Sequence, residues 1–110
     1  MAKFTAKLTD EKKAVDIVVL DMAELLVITD YFLICSGTSN RHVKTLSQHL
    51  QEKLKEKGLK PIGKEGEHEG EWVLLDYGEV VIHIFLPEKR DFYRLESLWK
   101  AAPRLDWGKN

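Results

Sequence analysis

A chain of 110 residues with a formal charge of −1, 44% hydrophobic and 32% charged, has room for one packed core and not for two. The near-neutral total excludes the strong positive field of a general nucleic-acid binder and the composition of a disordered tail. The one cysteine, Cys35, cannot form an internal disulfide, MAKFTAKLTDEKK lacks the apolar run of a signal peptide, and no run approaches the ~20 apolar residues that cross a bilayer, so a cytoplasmic protein with no membrane contact is expected.

In chain order, Asp16-Ile17-Val18-Val19-Leu20-Asp21 is short, β-branched and bounded by carboxylates, which predicts a buried strand. Met22 to Thr29 connect it to a second apolar run, Tyr31-Phe32-Leu33-Ile34-Cys35, which ends at Ser36-Gly37. From Ser39 the period changes. Val43, Leu46, Leu50 and Leu54 recur at helical spacing while Lys44, Gln48, Gln51, Lys53, Lys55 and Lys57 occupy other faces, which predicts an amphipathic helix. Gly58 fits a left-handed cap at its end, and Lys53, Lys55 and Lys57 suit the negative pole of the helix dipole. Residues 59–70, LKPIGKEGEHEG, have no apolar period and read as a connecting loop. Trp72 to Tyr77 and Val80 to Phe85 read as a hairpin with a two-residue loop, either Tyr77-Gly78 or Gly78-Glu79. Pro87 stops the last strand, and Asp91 to Trp99, with Phe92, Leu95, Leu98 and Trp99 at helical spacing, forms a final helix before Pro103 and a polar tail. The order is (α)ββαββα, a single α/β domain with a mixed sheet of about four to five strands and flanking helices. The strand-helix-strand step across residues 31–77 is expected to be a right-handed parallel crossover.

Ser36-Gly37-Thr38-Ser39-Asn40, at a strand-to-helix turn, has the composition of a phosphate-holding loop. A nucleotidyltransferase also needs paired carboxylates on a nearby strand to hold two metal ions. Asp76 stands alone there, with Leu74 and Gly78 two residues away, and no G-x-x-x-x-G-K-[ST] match exists. The loop therefore reads as a tight turn with a helix cap from Thr38 or Ser39, and a minimal nucleotidyltransferase is kept as the alternative. Cys35 reads as a small core residue, and His42, His49, His68 and His83 lack the spacing of a zinc site, so no cofactor, metal or catalytic residue is expected. His42 and His49 read as solvated helix residues.

The hairpin carries more information. Alternation puts Val73, Leu75, Tyr77, Val80, Ile82 and Ile84 on one face, which packs against the helices. The other face collects Trp72, Leu74, Asp76, Glu79, Val81, His83 and Phe85, too polar for a core and too apolar for an idle surface. Six acids and no Lys or Arg lie between Glu65 and Glu79, whereas residues 41–64 carry a balance of +5. An acid-rimmed aromatic face suits a basic protein partner and repels a phosphate backbone. The plain alternative is that the C-terminal helix, or the tail at Trp107, covers Trp72.

YFLICSGTSN (31–40), Arg41-His42-Val43, Glu65-Gly66-Glu67, WVLLDYGEVVIHIF (72–85) and FYRLESLW (92–99) together resemble the ribosomal silencing factor family, RsfS, also called Iojap-like. The resemblance runs from about residue 12 to residue 107, which sets the core of the domain, and the segment before it, MAKFTAKLTDE, is shorter than the leading helix usual in the family. It implies a nucleotidyltransferase-like fold without catalysis. It also implies binding to the large ribosomal subunit through ribosomal protein number fourteen, steric obstruction of small-subunit joining, repression of translation when nutrients are scarce, and a homodimer. By similarity Trp72, Asp76 and Tyr93 are binding residues, and the face assignment adds Leu74 and Glu79. The basic helix, through Lys44, Lys53 and Lys57, offers a secondary contact to ribosomal RNA.

Overall fold

The computed structural model describes residues 1–26 and 28–108; Val27, within the first connector, and residues 109 and 110 of the tail lie outside the described residues. Its elements are α1 (Ala2–Glu11), β1 (Val15–Asp21), β2 (Tyr31–Ser36), α2 (Asn40–Glu56), β3 (Gly63–Glu65), β4 (Trp72–Asp76), β5 (Val80–Phe85), α3 (Pro87–Tyr93) and α4 (Leu95–Leu98). The five strands form one mixed sheet in the order β1-β2-β5-β4-β3. Among the described residues only the β2–β5 pair is parallel.

Alternation along each strand makes two faces. On one, Leu33, Cys35, Val73, Leu75, Val80, Ile82 and Ile84 meet the apolar stripe of α2, Val43, Leu46, Leu50 and Leu54, together with Ala2, Ala6 and Leu8 of α1. The short leading segment is therefore helical, and it contributes to the main core. On the other face Leu20, Phe32, Ile34 and Phe85 form a smaller cluster roofed by Leu95, Trp99 and Ala102.

Ser39 caps α2, its side chain accepting from the His42 amide at 3.1 Å, and Gly58 follows the helix end at φ +80°. The hairpin loop is Gly78-Glu79, since the Tyr77 amide donates to the Val80 carbonyl. The outer edge of β1 is covered by the tail, where Leu105 donates to Val19 and Asp21 to the Pro103 carbonyl.

Four expectations need correction. Residues 59–70 are not all loop, because Gly63–Glu65 pair with β4 as an edge strand through backbone bonds that need no apolar side chain. The step from β2 through α2 does not lead to a parallel neighbour, since β4 runs antiparallel to β5 and only β5 lies beside β2. The final helix is two short ones, α3 starting at Pro87, with Arg94 at φ +48° between them, so Phe92 and Leu98 face solvent. His42 and His49 are not free in solvent: His42 accepts from the Thr38 amide and reaches the Lys12 carbonyl, and His49 meets Glu11 at 3.0 Å, tying α2 to the end of α1.

Candidate functional site

The Ser36–Asn40 turn is engaged within the domain. The Gly37 amide donates to the Phe85 carbonyl at 2.9 Å, and the Thr38 amide to His42 Nδ1 at 2.8 Å. The Ser36 hydroxyl accepts from Arg90 at 2.9 Å. Gly37 is required by close packing, because a Cβ there would meet the Val43 amide nitrogen and Cγ2 at 2.9 Å. Asp76 lies toward the opposite end of the sheet: Ser36 is level with Phe85 and Trp72, two strands from β4, and Asp76 is four residues further along β4, ~13 Å beyond Trp72. The two halves that triphosphate chemistry needs together are thus apart. A cleft of about 890 Å³ does lie beside Ser36, between β1 and the C-terminal helices, with Arg90, Arg94, Lys100 and Arg104 among its walls. Asp16, Asp91 and Glu96 share those walls, so its charge is mixed. Burial pushes the Cys35 thiol up to about 12, which fits a core residue and not a nucleophile. Among the described residues no three of His, Cys, Asp or Glu come together as a metal site.

The outer face of the hairpin is built by register. Trp72 faces Phe85, Leu74 faces His83 and Asp76 faces Val81, so their side chains project on one side. The Trp72 ring stacks on Phe85 at 4.9 Å and contacts Tyr93 of α3 at 4.5 Å. Trp72 is half-buried, Leu74 and Asp76 likewise, and Tyr93 and Glu79 are exposed. Of the predicted residues, Trp72 and Tyr93 are thus in contact, whereas Asp76 and Glu79 stand at the hairpin tip. The Asp76 carboxylate accepts from the Gly78 amide at 2.8 Å and so shapes the turn as well as charging it.

This face is more apolar at its base than alternation implied. His83 and Phe85 are buried: Leu95, Trp99 and Ala102 pack into the cluster that holds Phe85, and the His83 ring meets Phe32, Trp72 and Phe85. Trp72 is covered in part by Tyr93 and not by Trp107, which lies in the cluster on the opposite face. Glu65 was missed. It pairs with Leu74 across β3, so its carboxylate joins the face, and only recognising the edge strand would have revealed it. Phe92 projects from the same corner, edge-on to Tyr93 at 5.0 Å and 77% exposed.

Part of the acidic run is neutralised at home: Glu67 lies 3.6 Å from Lys64, and Glu71 3.6 Å from Lys89. Glu65, Asp76 and Glu79 have no ion pair among the described residues, so the tip and the β3 side keep their negative field. The Tyr77 phenol is raised by burial and by Glu67, and stays neutral.

Comparison with known proteins is consistent across the chain. The family model "Ribosomal silencing factor during starvation" matches residues 1–110. Ribosomal silencing factor RsfS of Bacillus subtilis is 41% identical over 110 residues, covering 98% of this chain and 93% of that protein. The chloroplastic protein Iojap of Zea mays is 36% identical over 101 residues, covering 92% of this chain and 44% of that protein. A crystal structure from Bacillus halodurans superposes with a TM-score of 0.84 at 35% identity, covering 94% of each chain. One from Chromobacterium violaceum gives 0.83 at 37% identity, covering 100% of this chain and 94% of that one. With its full length matched by the family model and its sheet and helices matched by these structures, the chain belongs to the ribosomal silencing factor (RsfS/Iojap) family.

Proposed function

We propose that this ribosomal silencing factor acts in the cytoplasm as a steric block. It binds the large ribosomal subunit through ribosomal protein number fourteen and covers the surface on which the small subunit docks, performing no chemistry of its own. The observation that carries this reading is the outer hairpin face, an aromatic centre of Trp72 and Tyr93 with Leu74 beside it and the unpaired carboxylates Glu65, Asp76 and Glu79 at its margin. Aromatic anchors with a charged rim suit a protein surface rich in Lys and Arg. A mouse protein named for mitochondrial assembly of the ribosomal large subunit, 39% identical over 92 residues, supports a large-subunit partner.

Co-sedimentation with purified large subunits tests it. Trp72→Ala or Asp76→Lys should abolish binding with the fold retained, and saturating protein should slow subunit joining; unchanged sedimentation of either variant would reject the face.

A secondary contact to ribosomal RNA is favoured by the basic surface of α2, where Lys44 and Lys57 are exposed. Because α2 covers the opposite side of the sheet from the Trp72 face, that contact is made by a different side of the molecule. Neutralising Lys44, Lys53 and Lys57 should then flatten the salt dependence of subunit binding. The family resemblance also supports a homodimer, which sedimentation of the free protein tests.

A further inference from the structure

His83 lies at the buried base of the hairpin face, only 4% exposed. Its Nδ1 accepts from the Trp72 indole Nε1 at 3.2 Å, its ring runs nearly parallel to Phe85 at 10°, and it meets Phe32 at 4.9 Å. An Nδ1 that accepts is unprotonated, so the ring proton sits on Nε2, and Nε2 is buried without a partner among the described residues. Burial lowers the group to about 4, which keeps it neutral at pH 7. An aliphatic residue, as at Val81, Ile82 and Ile84 on the same strand, would avoid the cost of that unmet N–H. What the imidazole adds is an acceptor for Trp72.

Trp72 is in turn held by Phe85 and Tyr93, and its one donor is spent inside the domain. Resting on the partner-binding reading above, we propose that His83 is a positioning residue: it takes the Trp72 N–H and fixes the indole so that the partner meets only carbon surface. A carbonyl or carboxylate buried against this ring would find no donor, whereas the stem and cation of a Lys or Arg need none. The preference for a cationic partner is thus built into the ring as well as into the acidic rim.

The test compares His83→Phe, which keeps a ring without the acceptor, and His83→Asn, which returns an acceptor near Nδ1. The Trp72 indole N–H signal in ¹⁵N-labelled full-length protein should shift in His83→Phe and recover in part in His83→Asn. Affinity for purified large subunits should fall about five- to tenfold in His83→Phe, the scale of one lost neutral hydrogen bond. In a Trp72→Phe background the same change should cost nothing further. An unmoved indole signal, wild-type affinity in His83→Phe, or an equal loss in both backgrounds would each overturn the positioning role. Wild-type affinity in Trp72→Ala would instead reject the binding face itself, while the indole signal still reports whether His83 holds the ring.

Discussion

Arg90 holds Glu96 with two hydrogen bonds, Nε to Oε1 at 2.9 Å and a second nitrogen to Oε2 at 3.1 Å, closing α4 back onto α3 across the left-handed Arg94. A third group on the same guanidinium reaches Ser36 at 2.9 Å, so one side chain joins the C-terminal helices to the end of β2. Both side chains are mostly buried, and removing one partner strands the other's charge. Arg90→Ala should cost about 2–4 kcal/mol and Glu96→Gln about 1–2 kcal/mol. Urea denaturation checks this through a lower midpoint at unchanged slope.

Two glycines should differ in their tolerance of alanine. At Gly37 the added Cβ meets the Val43 backbone nitrogen and Cγ2 at 2.9 Å, so the start of α2 must move, at about 1–3 kcal/mol. At Gly66 the backbone is at φ +79° and the added Cβ would run into the Trp72 carbonyl oxygen, so Gly66→Ala should lose ~3 kcal/mol or more and displace the start of β4. Thermal melting of the two variants gives the order.

Stability should fall on acidification in a window set by His83. Its folded value of about 4 lies below the ordinary 6.5, so between those values the unfolded chain binds the extra proton. The stabilisation is complete above about pH 6.5, is lost as the pH falls toward 4, and amounts to about 3 kcal/mol. Urea midpoints at pH 7 and pH 4.5 measure it, and His83→Asn, if folded, should show a smaller drop than the unchanged protein.

Asp76 and Glu79 should separate charge from turn geometry. Asp76→Asn keeps an oxygen for the Gly78 amide and removes only the charge, whereas Asp76→Lys removes both. Glu79→Lys touches charge alone at an exposed side chain, because the backbone carbonyl of Glu79, which accepts from Thr29, Asp30 and Tyr31, is unchanged. Glu79→Lys and Asp76→Asn should slow association with large subunits several-fold and reduce its salt dependence, while Asp76→Lys should abolish binding. Stopped-flow association at two salt concentrations distinguishes them.

The strands β1, β2, β4 and β5 and the long α2 were readable because each carries its own apolar period. The pattern failed where structure comes from a neighbour. Gly63-Lys64-Glu65 has no strand character in its side chains and is ordered by the backbone of β4. Phe92 and Leu98 keep helical spacing yet lie on exposed surface, because a left-handed residue breaks their helix between them. Alternation along β4 and β5 sorted the hairpin faces, but it could not tell that β5 rather than β4 docks beside β2, since either order satisfies it. Nor could it tell that Leu95, Trp99 and Ala102 roof the cluster of Phe32 and Phe85, a contact made by residues ten or more positions away.

The indole and the tip carboxylates sit at the two ends of one strand, which turns the hairpin into a ruler. On the proposed binding face, a partner would present an apolar hollow and a positive spot ~13 Å apart, the span of four extended residues. Both marks have to seat together, so Trp72→Ala at one end or Asp76→Lys at the other should each release the hold.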